Sequence, residues 1–238
     1  YLENNEYKIA EEYALNFIKK YPGHYIPYLM HGICCMSLYK YVEAKNSFLQ
    51  GIKINPNDFA LNNNLSVVLN SLEEYQEVEQ YLSNAKSIEP ENPYPVIQEG
   101  LLYMKKRNFL KAQLLFEKCI FLFKEKKIPF STTPLNTYYC ESLIANLNFE
   151  KLNEFYIETQ KEDFDPELFY LNAGINKIKI DITTIKEIED KYINKNFNNL
   201  YQKTFFQSGI YFGLARFWEK KDKIKSEHYY HNGNSVIK

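Results

Sequence analysis

Residues 41–56 read YVEAKNSFLQGIKINP, and residues 75–90 read YQEVEQYLSNAKSIEP. Laid over each other, they agree in an opening ring (Tyr41, Tyr75) and in a compact residue three positions on (Ala44, Val78). They agree again in a bulky apolar residue seven positions on (Phe48, Leu82) and in a closing proline (Pro56, Pro90). The offset is 34 residues, and it extends in both directions. Tyr7 and Phe109 join the ring series, Ala10 and Ala112 the compact series, Phe116 the bulky series and Pro22 the proline series. Gly32, Ser66 and Gly100 form a fifth series at the same step, ahead of each ring. Within each segment the apolar positions recur at helical spacing, and the proline disfavours helix in the residue before it. Self-similarity at this period marks an array of stacked helical units, each unable to bury its apolar face alone.

These five series resemble the tetratricopeptide-repeat (TPR) family, whose motif sets a small residue in helix A and an alanine twelve positions later in helix B. Gly32 and Ala44 meet that motif, and Val78 departs from it. The resemblance covers residues 1–126. It implies an all-α, right-handed superhelical solenoid of antiparallel helix pairs, and a scaffold for binding other proteins. We expect about seven hairpins, the first truncated, with a regular array over 1–128 and degenerate TPR-like hairpins continuing it over 129–238.

In order along the chain, residues 1–22 hold the second helix of a truncated repeat, with Tyr7, Ala10, Phe17 and Ile18 as its buried stripe. Complete repeats follow at 25–58, 59–92 and 93–126. A loop then leads to Thr132 or Thr133 as N-cap, with Pro134 at the first helical position. The span 134–160 reads as a helix pair broken at Asn146-Leu147-Asn148, with Phe149 and Tyr156 in the roles of Tyr41 and Phe48. Further helices are expected from Asp165-Pro166 to about Lys177 and, capped by Asp181, to about Ile193. Two more run from about Asn198 to Lys220 and from Asp222 to near Asn232-Gly233. The Ile178–Asp181 stretch is too isolated to pair as a strand, so no sheet is expected.

In the TPR family the A helices line the concave face, and register carries those positions onto this chain. The first full repeat supplies Ile26, Leu29, Ile33 and Met36. The second supplies Asn63, Val67 and Asn70. The third supplies Tyr94, Ile97, Leu101 and Met104. Asparagine amides donate to and accept from a peptide backbone, while apolar neighbours bury its side chains. The expected ligand is an extended or helical protein segment with hydrophobic anchors. The acidic tail of heat-shock chaperones is excluded: of the matching positions Leu29, Ile33, Asn64, Tyr94 and Gln98, only Asn64 fits that clamp, and no cation meets a carboxylate.

Composition narrows the rest. The net charge is -1, with no acidic or basic tail, which argues against nucleic acid, whose backbone demands a basic stripe. The run Lys220, Lys221, Lys223, Lys225 reads as a solvated helix face. No apolar stretch approaches the roughly 20 residues of a bilayer span. Tyrosine (21) and phenylalanine (17) supply much of the burial, which suits narrow helix seams. The chain opens on Tyr1 inside a helical pattern without a methionine, which predicts a fragment or processed form. Cys34, Cys35, Cys119 and Cys140 show no metal or redox spacing and read as core or groove thiols of a reducing, cytoplasmic setting.

No catalytic site, cofactor or metal is expected. His228 and His231 share a helix face but lack a third ligand, while His24 and His31 read as surface or packing residues. The carboxylate pairs Glu11-Glu12, Glu73-Glu74 and Glu187/Glu189 fall on exposed faces by periodicity, without a cleft to converge in. The aromatic run 205–218 reads as core or as a seam with another domain.

The leading expectation is therefore a non-catalytic adaptor, with self-association through terminal helices as a further property. Two alternatives remain open. One is the substrate-recruiting arm of a larger glycosyl- or methyltransferase. The other is a bacterial envelope-assembly or secretion factor, since Phe17–His24 is similar to helix ends in outer-membrane assembly lipoproteins of this repeat family.

Overall fold

The computed structural model describes residues 2–126, 134–162, 166–173, 175, 180, 182–193 and 200–237. Among them the chain forms thirteen α-helices and no strand. They are α1 (Leu2–Lys20), α2 (Tyr25–Ser37), α3 (Tyr41–Ile54), α4 (Phe59–Ser71), α5 (Tyr75–Ile88), α6 (Tyr94–Lys105) and α7 (Phe109–Lys126). Then come α8 (Pro134–Ala145), α9 (Phe149–Glu162), α10 (Pro166–Ala173), α11 (Ile182–Tyr192), α12 (Leu200–Trp218) and α13 (Lys223–Ile237). Two compact units result, Tyr1–Ile128 and Pro129–Lys238.

In the first unit α2–α3, α4–α5 and α6–α7 are hairpins, and α1 packs on α2. The first and third hairpins close where helix A presents no side chain. A Cβ on Gly32 would stand 2.3 Å from the Phe48 ring, and one on Gly100 would stand 2.4 Å from Phe116. The middle hairpin solves the same problem differently, pairing Ser66 with the smaller Leu82, both buried. Its neighbours are fastened through Leu61, Leu65, Leu69 and Val68 of α4, all fully buried. Burying such a side chain is worth about 1.5–3 kcal/mol each.

The A-to-B turns share one geometry. Tyr39, Glu73, Arg107 and Leu147 each adopt positive φ, between 57° and 62°. Around them the chain makes a Schellman closure: Lys40 N donates to Cys35 O at 2.8 Å and Tyr39 N to Met36 O at 3.0 Å. The same two bonds recur as Glu74 to Leu69 and Glu73 to Asn70, Asn108 to Tyr103 and Arg107 to Met104, and Asn148 to Leu143 and Leu147 to Ile144. The α8–α9 hairpin therefore has the turn of the regular repeats although its sequence motif is lost. Tyr156 and Phe155 of α9 are buried, and Phe155 meets Tyr139 edge-on at 4.8 Å.

A second device repeats between hairpins. Lys40 at the α2–α3 turn binds Glu11 of α1, and 34 residues on Glu74 binds Lys45 of α3 with the signs reversed. Opposite charge order in adjacent slots favours the native neighbour sequence over a shifted one.

Four expectations are corrected. Tyr7 and Phe17 are exposed (39% and 48%), whereas Ala14 is fully buried; among the described residues the packing partner of α1 is α2. α13 does not stop at Gly233 but runs through it to Ile237. Gly233 serves close packing, since a Cβ there would stand 2.7 Å from the Phe212 ring. The helix opened by Pro166 ends at Ala173, short of Lys177, with Ile175 already non-helical. Its main partner is α12 rather than the next helix, because Gly213 admits the Phe169 ring, which a Cβ would approach to 2.4 Å.

Several other expectations lie outside the described residues: the Thr132/Thr133 cap, the Asp165 and Asp181 starts, the beginning at Asn198 and the segment Ile178–Lys179. Nothing is described of the Phe205 and Phe206 side chains. In the rest of that aromatic run Phe217 is buried and stands edge-on to Trp218 at 5.1 Å. Lys221 and Lys225 are exposed, yet lie 3.3 Å and 4.2 Å from the Phe217 and Trp218 ring centres, so two of the four lysines cover aromatic faces.

Candidate binding face and a buried polar cluster

The eleven residues expected to line a groove lie on α2, α4 and α6. None is buried: Ile26, Ile33 and Tyr94 are exposed, and the other eight are half-buried. These three A helices approach one another in succession, α2 to α4 and α4 to α6, more closely than α3, α5 and α7 do. Close A helices and spread B helices bend the first unit toward its A side.

The face has two textures. On α2, Ile26, Ile33 and the exposed Met30, which the sequence reading did not single out, form a stripe at i, i+4, i+7. Leu29 and Met36 instead turn partly into the core. On α4, Asn63, Val67 and Asn70 share one side, and the Oδ1 atoms of both asparagines are buried without a hydrogen-bond partner. A buried amide oxygen left unpaired costs about 1–3 kcal/mol. The neighbouring Asn62 has no such deficit, since its Nδ2 donates to Pro56 O and Asp58 O at 2.9 Å and its Oδ1 accepts from Asn84.

A second constellation went unread in the sequence. Glu11, expected on an exposed face, projects between α1 and α2, and its side chain keeps 14% of its exposure. Both its oxygens accept from Lys40 Nζ at 2.7 Å, which holds its carboxyl below the usual range. His31 and Cys35, one turn apart on α2, are buried beside it. His31 Nδ1 is 2.6 Å from Ser47 Oγ of α3, and Cys35 Sγ is 3.7 Å from Glu11 Oε1. Burial lowers the His31 pKa, keeping the ring neutral near pH 7. Burial first, and then Glu11, push the Cys35 thiol up to about 12.

One turn-spaced His/Cys pair was the available signal, and the missing member came from the preceding helix. Two other carboxylates expected on open faces also have partners: Glu74 binds Lys45, and Glu189 accepts from Tyr229 Oη. His228 and His231 are exposed, with His228 bonded to Asn232. Among the described residues no helix is long and apolar enough to cross a membrane.

Stacked A–B hairpins closed by small residues against rings place the chain among helical-repeat proteins. Comparison of its sequence with protein-family models and with curated proteins finds no match. Its structure is similar to a tetratricopeptide repeat protein from Parabacteroides merdae, with a TM-score of 0.64 and 12% identity over 99% of this chain and 88% of that one. It is also similar to PilF of Pseudomonas aeruginosa, at 0.61 and 13%, over 98% of this chain and 92% of that one. A chain of the APC/C hetero-tetramer Cut9–Hcn1 matches at 0.60 and 12%, over 98% of this chain but 44% of that one. The chain thus has the tetratricopeptide-repeat fold.

Proposed function

We propose that the chain is a protein-interaction scaffold that grips a segment of a partner protein on the α2–α4–α6 face of its first unit. The observation that carries this reading is the run of exposed and half-buried side chains on α2, α4 and α6, in which Asn63 and Asn70 hold Oδ1 atoms without a partner inside the chain; turned outward, these amides would meet a ligand backbone. Two acceptors seven residues apart on a helix stand about 10 Å apart along its axis. On a ligand with three residues per turn and about 3.1 Å per residue, N–H groups one turn apart come close to that spacing. The exposed Ile26, Met30, Ile33 and Tyr94 would take its apolar side chains. The eleven groove residues are proposed as the contact set, with no cofactor and no catalytic role. The hetero-tetrameric assembly named for Cut9–Hcn1 is consistent with a protein ligand for this fold.

The test is affinity capture with quantitative mass spectrometry, comparing the native chain with Asn63→Ala/Asn70→Ala and with Leu29→Glu. Val42→Glu, on the exposed side of α3, is the control. The proposal expects a partner retained by the native chain and the control, and lost from both face variants. A partner set unchanged across all variants overturns it.

A further inference from the structure

The Glu11–His31–Cys35 cluster has no part in the proposed binding face, and its composition departs from that of the next repeat. The repeat register places His31 and Cys35 where the next repeat has Leu65 and Leu69, both fully buried. Where the second repeat has two leucines, and the third Glu99 and Tyr103, the first has an imidazole and a thiol, with a carboxylate brought to them from α1. Buried polar groups are costly unless paired, and the contacts of Cys35 Sγ are long: 3.6 Å and 3.8 Å to Nε2 and Nδ1 of His31, and 3.7 Å to Glu11 Oε1.

We propose that Glu11 Oε1, His31 Nε2 and Cys35 Sγ form a binding site for a divalent transition-metal ion, zinc above all. The third side of their triangle, Nε2 to Oε1, is 4.0 Å. A point equidistant from atoms 3.6, 3.7 and 4.0 Å apart lies about 2.2 Å from each, within zinc's bonding range of about 2.0–2.3 Å. The mixed sulfur, nitrogen and oxygen set suits zinc or cobalt rather than magnesium or calcium, which take oxygen alone.

The surroundings fit as well. Ser47 Oγ, 2.6 Å from Nδ1, can accept a hydrogen bond from the Nδ1–H, the tautomer that leaves Nε2 unprotonated; a turn of the ring then aims its lone pair at an ion held by Glu11 and Cys35. On binding, the Cys35 S–H bond ionises, the proton passes to solvent and the thiolate pair forms the metal–sulfur bond. Lys40 competes for Glu11, but its side chain is 42% exposed and can withdraw into water. Three protein ligands leave a fourth position for water.

Titration of the full chain with zinc or cobalt chloride, after treatment with chelator, tests this. The expected result is one ion per chain at micromolar affinity or tighter, with a thiolate-to-cobalt charge-transfer band in the near ultraviolet. His31→Leu/Cys35→Leu installs the residues the next repeat already uses, so a folded protein that has lost the band is expected. His228→Ala/His231→Ala should bind as the native chain does, and Lys40→Ala several-fold more tightly. Absence of stoichiometric binding by the native chain overturns the proposal. So does a cobalt spectrum without the sulfur band, or binding that survives the double leucine change.

Discussion

The closure of the first hairpin allows a quantitative test. In Gly32→Ala the new methyl carbon would lie 2.3 to 2.7 Å from three atoms of the Phe48 ring, well inside contact distance. Phe48 is fully buried, so the ring cannot swing into solvent. Overpacking of this severity costs about 3 kcal/mol. Replacing glycine by alanine within a helix returns about 1 kcal/mol, leaving a net loss of about 2 kcal/mol. Phe48→Leu alone should cost about 1 kcal/mol through the void it leaves. Combined, the two changes approximate the Ser66–Leu82 pairing that the second hairpin already uses. The double variant should therefore lose much less than the sum, with a coupling of about 1.5 kcal/mol. Urea unfolding followed by far-ultraviolet circular dichroism measures all three variants. Gly23→Ala, with nothing within 4 Å of the added carbon, serves as the neutral control. A neutral Gly32→Ala, or strict additivity in the double variant, would refute the reasoning that small and ring positions are matched across each hairpin.

Other consequences can be checked with the same preparations. Leu147→Gly relieves a positive-φ leucine that is 73% exposed, and should raise stability by about 0.5 kcal/mol, the left-handed strain outweighing glycine's extra chain entropy. In chelator, stability should fall as pH drops below about 6.5, because the unfolded chain protonates His31 there while the buried ring, its pKa lowered, resists. His31→Leu should flatten that limb, and an unaltered pH profile would contradict it. The depressed Glu11 carboxyl adds a second loss at still lower pH, as it is protonated and releases Lys40. All four cysteines are buried thiols outside any disulfide, with Cys119 as well as Cys35 pushed up to about 12, so the native chain should react with thiol reagents far more slowly than the urea-unfolded chain.

The helices of the first half were legible because one repeating unit is written several times. A ring, a small residue and a proline recurring in step cannot all serve anything but the same packing slot. The turns were not legible: the left-handed position is filled by Tyr39, Glu73, Arg107 and Leu147 instead of glycine, so no residue type marks it. Gly233 was misread because glycine has two uses, ending a helix or admitting a ring, and sequence does not distinguish them. The partner of α10 escaped for a related reason, since Gly213 belongs to a helix two elements downstream. On the proposed binding face, the exposed and half-buried character of the A-helix residues followed from register, while the unpaired Oδ1 atoms of Asn63 and Asn70 require coordinates. Glu11 was assigned to solvent by periodicity along α1 alone, which takes no account of what α2 brings against it.

The binding reading stands or falls on where a partner touches the first unit. Hydrogen–deuterium exchange of the full chain, alone and with its captured partner, measures this helix by helix. The account predicts slowed exchange in α2, α4 and α6, with α3, α5 and α7 unchanged. Protection confined to α3, α5 and α7, or to the second unit, would contradict it.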